Sequence, residues 1–286
     1  VKGSNAEAVR VAPSTIKAPG APGFGQAVGV IFRMQIRRLV RGRKLRLGVI
    51  ATSLVLFSVV AARYASQRSE VGAERAQELA EDAMKNGLGW GFFKLLVFLL
   101  PFLFTSGAIA EEIESRTFAY VSSRPVSRAA IAIGKWAAGA VLSVALLAGS
   151  AIVLHLVALA TDPAALVEGF PATLKAVLAL SLLGVCYSAI CLFWGALVPE
   201  AAGVVSGLYL GVVEWILGFA PGAMRWVSMN FLGRQLAGQE PGGLLPEMAP
   251  VVDAWVAGGI LGGMTVLFLF FGVLVVSTSE LRMGNA

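Results

Sequence analysis

Apolar residues along this chain come in long runs rather than at intervals. Six runs, roughly 47–64, 90–110, 129–160, 173–198, 201–220 and 254–278, are long enough to cross a bilayer. A spanning helix needs about 20 predominantly apolar residues, each rising about 1.5 Å through a hydrocarbon core about 30 Å thick. A soluble helical bundle would carry charged faces at a period of about 3.6, and these runs carry none. The pattern predicts an all-α fold: a polytopic integral membrane protein with six transmembrane helices. The first run holds only Leu47 to Ala62 between Arg46 and Arg63, and both arginines can snorkel to the headgroups. The second has Lys94 near one end, which can snorkel likewise, and Pro101 inside, which predicts a kink.

The polar intervals are as informative as the runs. Residues 1–24 are rich in Pro, Gly, Ala and Ser, lack the apolar core of a cleavable signal peptide, and read as a flexible tail ahead of a transmembrane domain over 25–280. Within 25–46, Val28, Phe32, Ile36, Leu39 and Val40 recur at helical spacing while Arg33, Arg37, Arg41 and Lys44 line another face. That arrangement predicts an amphipathic helix in the membrane interface, its apolar face down and its basic face on anionic headgroups. Tethered directly to a span, these arginines are not read as a nucleic-acid patch, and no nucleic-acid partner is expected. Residues 66–87 are Ala- and Glu-rich, with Glu81 and Lys85 at a favourable i,i+4 spacing, and predict a short helix outside the membrane. Residues 221–253, with four prolines, form the longest loop on that side: a substrate gate, a docking surface for an extracytoplasmic partner, or a connector.

Composition agrees, with 57% hydrophobic residues, 14% charged residues and a mean hydropathy of +0.78. The distribution of basic residues adds an orientation. Ten Lys and Arg residues precede the first run, and Arg116, Arg124, Arg128, Lys135 and Arg282 fall on the same side; the other side holds Arg63, Arg68, Arg75, Lys85, Lys94, Lys175, Arg225 and Arg234. Positive charge favours the cytoplasmic face, so both termini are expected in the cytoplasm. Tyr64, Trp90, Trp226 and Trp255 then fall at outer ends of spans, and Trp136 and Trp194 near inner ones.

Signals for enzymatic chemistry are nearly absent. His155, the single histidine, lies in an apolar run with no acid, Cys or second His nearby, and reads as structural. Cys186 and Cys191, five apart in one run, are offset by about 140° on a helix and read as small packing residues. GxSxG, HExxH and CxxC do not occur, and Gly134-Lys135 lacks the rest of a phosphate-binding loop. The chain is expected to hold no catalytic residue, no metal and no cofactor, and not to hydrolyse ATP by itself. Glu214, inside the fifth run, stands out because a carboxylate at membrane depth is costly unless it is used or hydrogen-bonded. Gly203, Gly207 and Gly211 recur every four residues before it and predict a ridge for close helix approach, with Glu214 on nearly the same side. Gly258, Gly259, Gly262 and Gly263 predict close packing in the last span.

The densest charge lies in a hinge between the second and third runs. Glu111, Glu112, Glu114 and Arg116 follow the second span; a helix is expected to continue to about Val121, and Ser122-Ser123-Arg124-Pro125 to break it. Ser127 is placed to cap the third helix, which starts near Arg128. The run IAEEIESRTFAYVSSRPVSRAAIAIGK resembles the cytoplasmic hinge of ABC-2 type transporter permeases, through Glu111, Glu112, Glu114, Thr117, Arg124, Pro125, Ser127, Arg128 and Lys135. The nearest look is to the subfamily with the nitrous-oxide reductase maturation and gliding-motility permeases. The resemblance implies that residues 107–128 are a coupling hinge contacting a cytoplasmic ABC ATPase subunit that carries the ATP and Mg. It also implies a second permease copy or paralogue, a bacterial inner-membrane location and a role in export or in motion transmitted to an external partner. Arg116, Arg124 and Arg128 are expected to pair with the hinge carboxylates or with acidic groups on the ATPase. A non-transporting membrane scaffold is the alternative from a different class.

Overall fold

The computed structural model describes residues 23–68, 87–114, 126–160, 163–239 and 251–278, and among them every regular element is a helix. The expected N-terminal tail, the helix sought within 66–87 beyond residue 68, and hinge residues 115–125 lie outside the described residues. Six helical stretches are long and apolar enough to span a membrane: Arg43–Ala61, Gly87–Ile113, Arg128–Ala158, Pro163–Leu197, Pro199–Phe219 and Ala254–Thr278. Helix α1 (Phe24–Arg41) precedes them and turns at Gly42 into α2 (Arg43–Arg68), so the expected 25–46 helix is shorter by one turn.

The second span is composite. A π-helical segment, Gly87–Leu96, runs into α3 (Val97–Thr105) and then, past Ser106, into α4 (Gly107–Glu114). The α-helical pattern is therefore interrupted before and after Pro101, while α3 continues through the proline itself. At Ser106 the hydroxyl donates to the Phe102 carbonyl at 2.6 Å, in competition with the backbone ladder. Helix α5 (Arg128–Ala158) opens on Ser127, whose hydroxyl accepts from the Ala130 N–H at 3.2 Å. Helix α6 (Pro163–Leu197) starts about ten residues before the expected 173. Proline is pre-organised for a first helical turn, and Ala164, Ala165 and Leu166 after it are strong helix formers.

The fifth span combines a 3-10 turn (Pro199–Ala201), α7 (Ala202–Leu208), a π segment (Tyr209–Val213) and α8 (Glu214–Phe219). Ala220, extended before Pro221, ends it. The segment from 221 onward, read from sequence as a long loop, folds into a 3-10 helix (Gly222–Val227) and α9 (Met229–Leu236). Met229, Phe231 and Leu232 bury themselves against α6 and α10 (Ala254–Thr278). Residues 240–250 lie outside the described residues.

Helix α6 is the hub, touching α5, α10, α3, α9 and α7. The second and fourth spans are largely enclosed, whereas the first, fifth and sixth leave most of their length facing outward. The expected glycine ridges are not interfaces within the chain. Built Cβ atoms on Gly203, Gly211, Gly258, Gly259, Gly262 and Gly263 would meet nothing within 4 Å, and one on Gly207 reaches only the Phe102 ring at 3.6 Å. Spacing alone marks a smooth helix face without saying what covers it. Gly195 is different: α6 passes so close to the break between α3 and α4 that a Cβ there would run into the Ser106 carbonyl oxygen. Because that obstacle is backbone, Gly195→Val is expected to destabilise the detergent-solubilised protein by about 1–3 kcal/mol. Gly262→Val, facing open space, should stay within about 0.5 kcal/mol in the same thermal-unfolding assay; equal effects would contradict the packing described.

Candidate functional site

Helix α4 ends in a cluster of opposite charges drawn from four helices. Arg38 of α1 donates to Glu111 at 2.9 Å, and Lys44 of α2 pairs with the other oxygen of the same carboxylate. Arg38 also approaches Glu112 at 3.8 Å. Lys135 of α5 binds Glu112 at 2.5 Å and donates to the Ala108 carbonyl at 2.6 Å. The cluster clasps the end of the second span to α1, α2 and α5.

Burial separates the strong contact from the weak ones. The Arg38–Glu111 pair is exposed, with relative side-chain accessibilities of 52% and 38%; such pairs contribute about 0.2–1 kcal/mol. Lys135 and Glu112 are 1% and 9% accessible, and removing one partner of a buried pair costs about 3–5 kcal/mol because a charge is left uncompensated. Helix α1 is seated by apolar contact as well. Its buried stripe is Ala27, Ile31, Gln35 and Leu39, packed along α5. At Gly134 an added Cβ would lie 2.9 Å from Ile31 Cγ2 and 3.0 Å from the Val28 carbonyl oxygen. The apolar face assigned from sequence to lipid is thus partly turned onto the protein, while Arg33, Arg37 and Arg41 remain exposed.

The sequence-derived hinge residues divide accordingly. Glu111 and Glu112 are in the clasp, Ser127 caps α5, and Arg128 begins it. Glu114 ends α4, but its side chain, like Arg116, Thr117, Arg124 and Pro125, is outside the described residues. Arg38 and Lys44 are basic partners that the sequence did not assign to the hinge: Arg38 was not named, and Lys44 was placed on the lipid-facing basic side of the amphipathic helix. Their signal, charge on an amphipathic helix, is equally satisfied by lipid headgroups.

At the opposite end of the bundle, Glu214 is fully buried. Its carboxylate accepts from Ser228 Oγ at 2.9 Å and from the backbone N–H groups of Met229 at 3.2 Å and Asn230 at 3.3 Å. It therefore caps the N-terminus of α9, where unpaired N–H groups and the helix dipole favour a negative charge. Asn230 also donates from Nδ2 to the Phe93 carbonyl in the π segment at 2.5 Å, tying the cap to the second span. Glu214 shares its face with buried Ala202, Ser206 and Leu210, not with exposed Gly203 and Gly211. An α-helix drifts by about 40° over four residues; the wider π turn at Tyr209–Val213 takes up that drift and keeps Glu214 beneath Leu210.

Basic groups surround this cap. Arg225 is fully buried, its Nε donating to the Ala220 carbonyl at 2.5 Å, its guanidinium 5.8 Å from the Phe231 ring centroid and its two terminal nitrogens without hydrogen-bond partners among the described residues. Burial, and after it the charge of Arg225, pushes the Arg234 guanidinium below its usual value. Ser228, Asn230 and Arg225 were missed as site residues in the sequence, although Ser228, three residues before the apolar pair Phe231-Leu232, is a legible cap signal. His155 is structural: its ring nitrogens face the Leu166 carbonyl at 3.1 Å and Thr173 Oγ1 at 2.8 Å, fastening α5 to α6. Cys186 and Cys191 are free and buried.

Glu214→Ala would leave a hydroxyl and two N–H groups facing a void, at about 1–3 kcal/mol for each group left unpaired. Hydrogen exchange across Met229–Leu236 is expected to accelerate in that variant and much less in Glu214→Gln, which keeps an accepting oxygen. Unchanged exchange in Glu214→Ala would contradict the capping role.

A comparison with curated proteins gives no match. The sequence profile described as ABC-2 family transporter protein matches residues 30–281, which takes in most of α1, the clasp and all six spans. The chain therefore belongs to the ABC-2 family of transporter proteins, as the membrane-spanning permease subunit of an ABC transporter.

Proposed function

We propose that this permease serves an exporter, coupling ATP hydrolysis on a separate nucleotide-binding subunit to movement of a substrate, or to motion delivered to an external partner. The clasp is the observation that carries the reading. Residues 107–128 receive the ATPase from the cytoplasm, and a load applied there passes through Lys135 into α5 and through Arg38 into α1. Closure of the ATPase dimer on ATP then biases the spans between two arrangements, because it interacts differently with each. The exposed arginines of α1 lie against the anionic cytoplasmic leaflet of a bacterial inner membrane, which puts both termini on that side. A second permease copy or paralogue covers part of the outward-facing first, fifth and sixth spans. Within the family, the subfamily of nitrous-oxide reductase maturation and gliding-motility permeases is the assignment that the hinge residues favour.

Co-expression with a stand-alone ABC ATPase tests the reading. The ATPase is expected to co-purify with the tagged chain and to hydrolyse ATP faster in the complex. Glu114→Lys and Arg124→Glu, on the segment leading away from the clasp, should each weaken that association about tenfold, as loss of an interfacial charge pair does. A chain that retains no ATPase, or retains it equally with both substitutions, would leave a scaffold without a motor and overturn the proposal.

A further inference from the structure

Lys94 lies within the second span without an acidic partner among the described residues. It is about two turns from Gly87, and among the described residues no carboxylate comes within ion-pair distance of its ammonium. Its neighbours are rings: the centroid of Trp90 at 3.3 Å and of Phe219 at 5.5 Å. A cation over aromatic faces is partly stabilised, but an ionisable group inside a membrane protein pairs, lines a polar cavity or binds something.

Lys94 borders two spaces. One is a groove of about 680 Å³ between the first, second and fifth spans, lined by Leu54, Val55, Val59, Leu95, Trp90 and Trp215, with Ser58, Gly87 and Gly91 completing it. That size falls within the roughly 300–1,000 Å³ of small-ligand sites. Leu54, Trp90, Leu95 and Trp215 are exposed, so the groove opens sideways, in the direction of bilayer lipid. The other space is a small polar niche behind Lys94, which it shares with Trp215, where Glu214, Asn230 and Arg234 converge. Glu214 is already engaged there by Ser228 and the α9 backbone. The niche thus sets Lys94 at the head of an apolar trough with Asn230 and Arg234 behind it, and the two exposed tryptophans flank the trough.

We propose that this groove binds an anionic phospholipid, with its phosphate on Lys94 at the niche and an acyl chain along Leu54, Val55, Val59, Leu95 and Trp215. The occupant is lipid because the trough is apolar along its length and opens laterally, and it is anionic because, among the described residues, the one charged group in its wall is a cation with no acid within ion-pair distance. A neutral apolar ligand would leave Lys94 as it is. A soluble anion would leave the trough unfilled. The site is independent of the ATPase coupling proposed above, since it lies at the opposite end of the second span from the clasp.

The test is native mass spectrometry of the purified full chain in detergent, titrated with phosphatidylglycerol or with phosphatidylcholine of the same acyl chains. Phosphatidylglycerol is expected to be retained about tenfold more tightly, because both lipids carry the phosphate but only phosphatidylcholine adds a choline cation, which Lys94 repels. Lys94→Gln should lower that retention about tenfold, and Lys94→Arg should preserve it. Ser58→Phe, which fills the groove with Lys94 intact, should lower retention of both lipids, and added inorganic phosphate should not displace phosphatidylglycerol. Equal retention of the two lipids, unchanged retention in Lys94→Gln or Ser58→Phe, or displacement by inorganic phosphate would overturn the proposal. So would a Ser58→Phe variant that loses a dimer present in the native protein, because the groove would then be covered by a second copy of the chain.

Discussion

A single buried ion pair, Lys135 with Glu112, fixes how the hinge end of this bundle is assembled. Neither charge belongs in a low-dielectric interior alone, and each makes the other tolerable. The lysine does more than neutralise: by also binding the Ala108 carbonyl it takes hold of α4 at two points one turn apart. From there the remaining contacts follow in order of decreasing strength. Arg38 and Lys44 add weaker, solvent-screened bonds to Glu111, and Ile31 beds into the space that Gly134 leaves open. Four helices meet at this one place.

The opposite end obeys the same rule with different chemistry. Glu214 has no basic partner within ion-pair distance among the described contacts; backbone and hydroxyl donors at the start of α9 serve instead. This turns the segment after the fifth span into part of the core, and the two π-helical segments adjust the register so that Phe93, Asn230 and Glu214 can meet. Between the two poles the bundle is held by aliphatic and small residues around α6, with Gly195 setting how near α6 comes to the α3–α4 break. The two poles are therefore rigid for electrostatic reasons and the middle for steric ones.

Features governed by local physics were legible in the sequence. The third span was expected at 129–160 and is Arg128–Ala158, because an apolar run flanked by a serine cap is a local signal. His155 and the two cysteines were read as structural from their surroundings alone, and are buried in helix contacts. Features set by tertiary contact were not legible. Arg38 and Lys44 lie 73 and 67 residues from Glu111, so nothing nearby in the chain announces the pairing. Glu214 was flagged by its cost, but its partners follow 14 to 16 residues later on a segment that looked like a loop. The glycine repeats did not reveal what covers them, because the spacing of small residues is the same on a face packed within the chain and on one left open.

Helices α1, α4 and α5 form one body joined by charge. Hydrogen exchange of the Glu111→Gln/Glu112→Gln variant, compared with the native chain in the same lipid or detergent, addresses this directly, because both substitutions lie on α4 alone. Amides of α1 (Phe24–Arg41) and of the first turns of α5 are expected to exchange faster together with those of α4. Acceleration confined to α4, with α1 and α5 exchanging at their native rates, would contradict a single body.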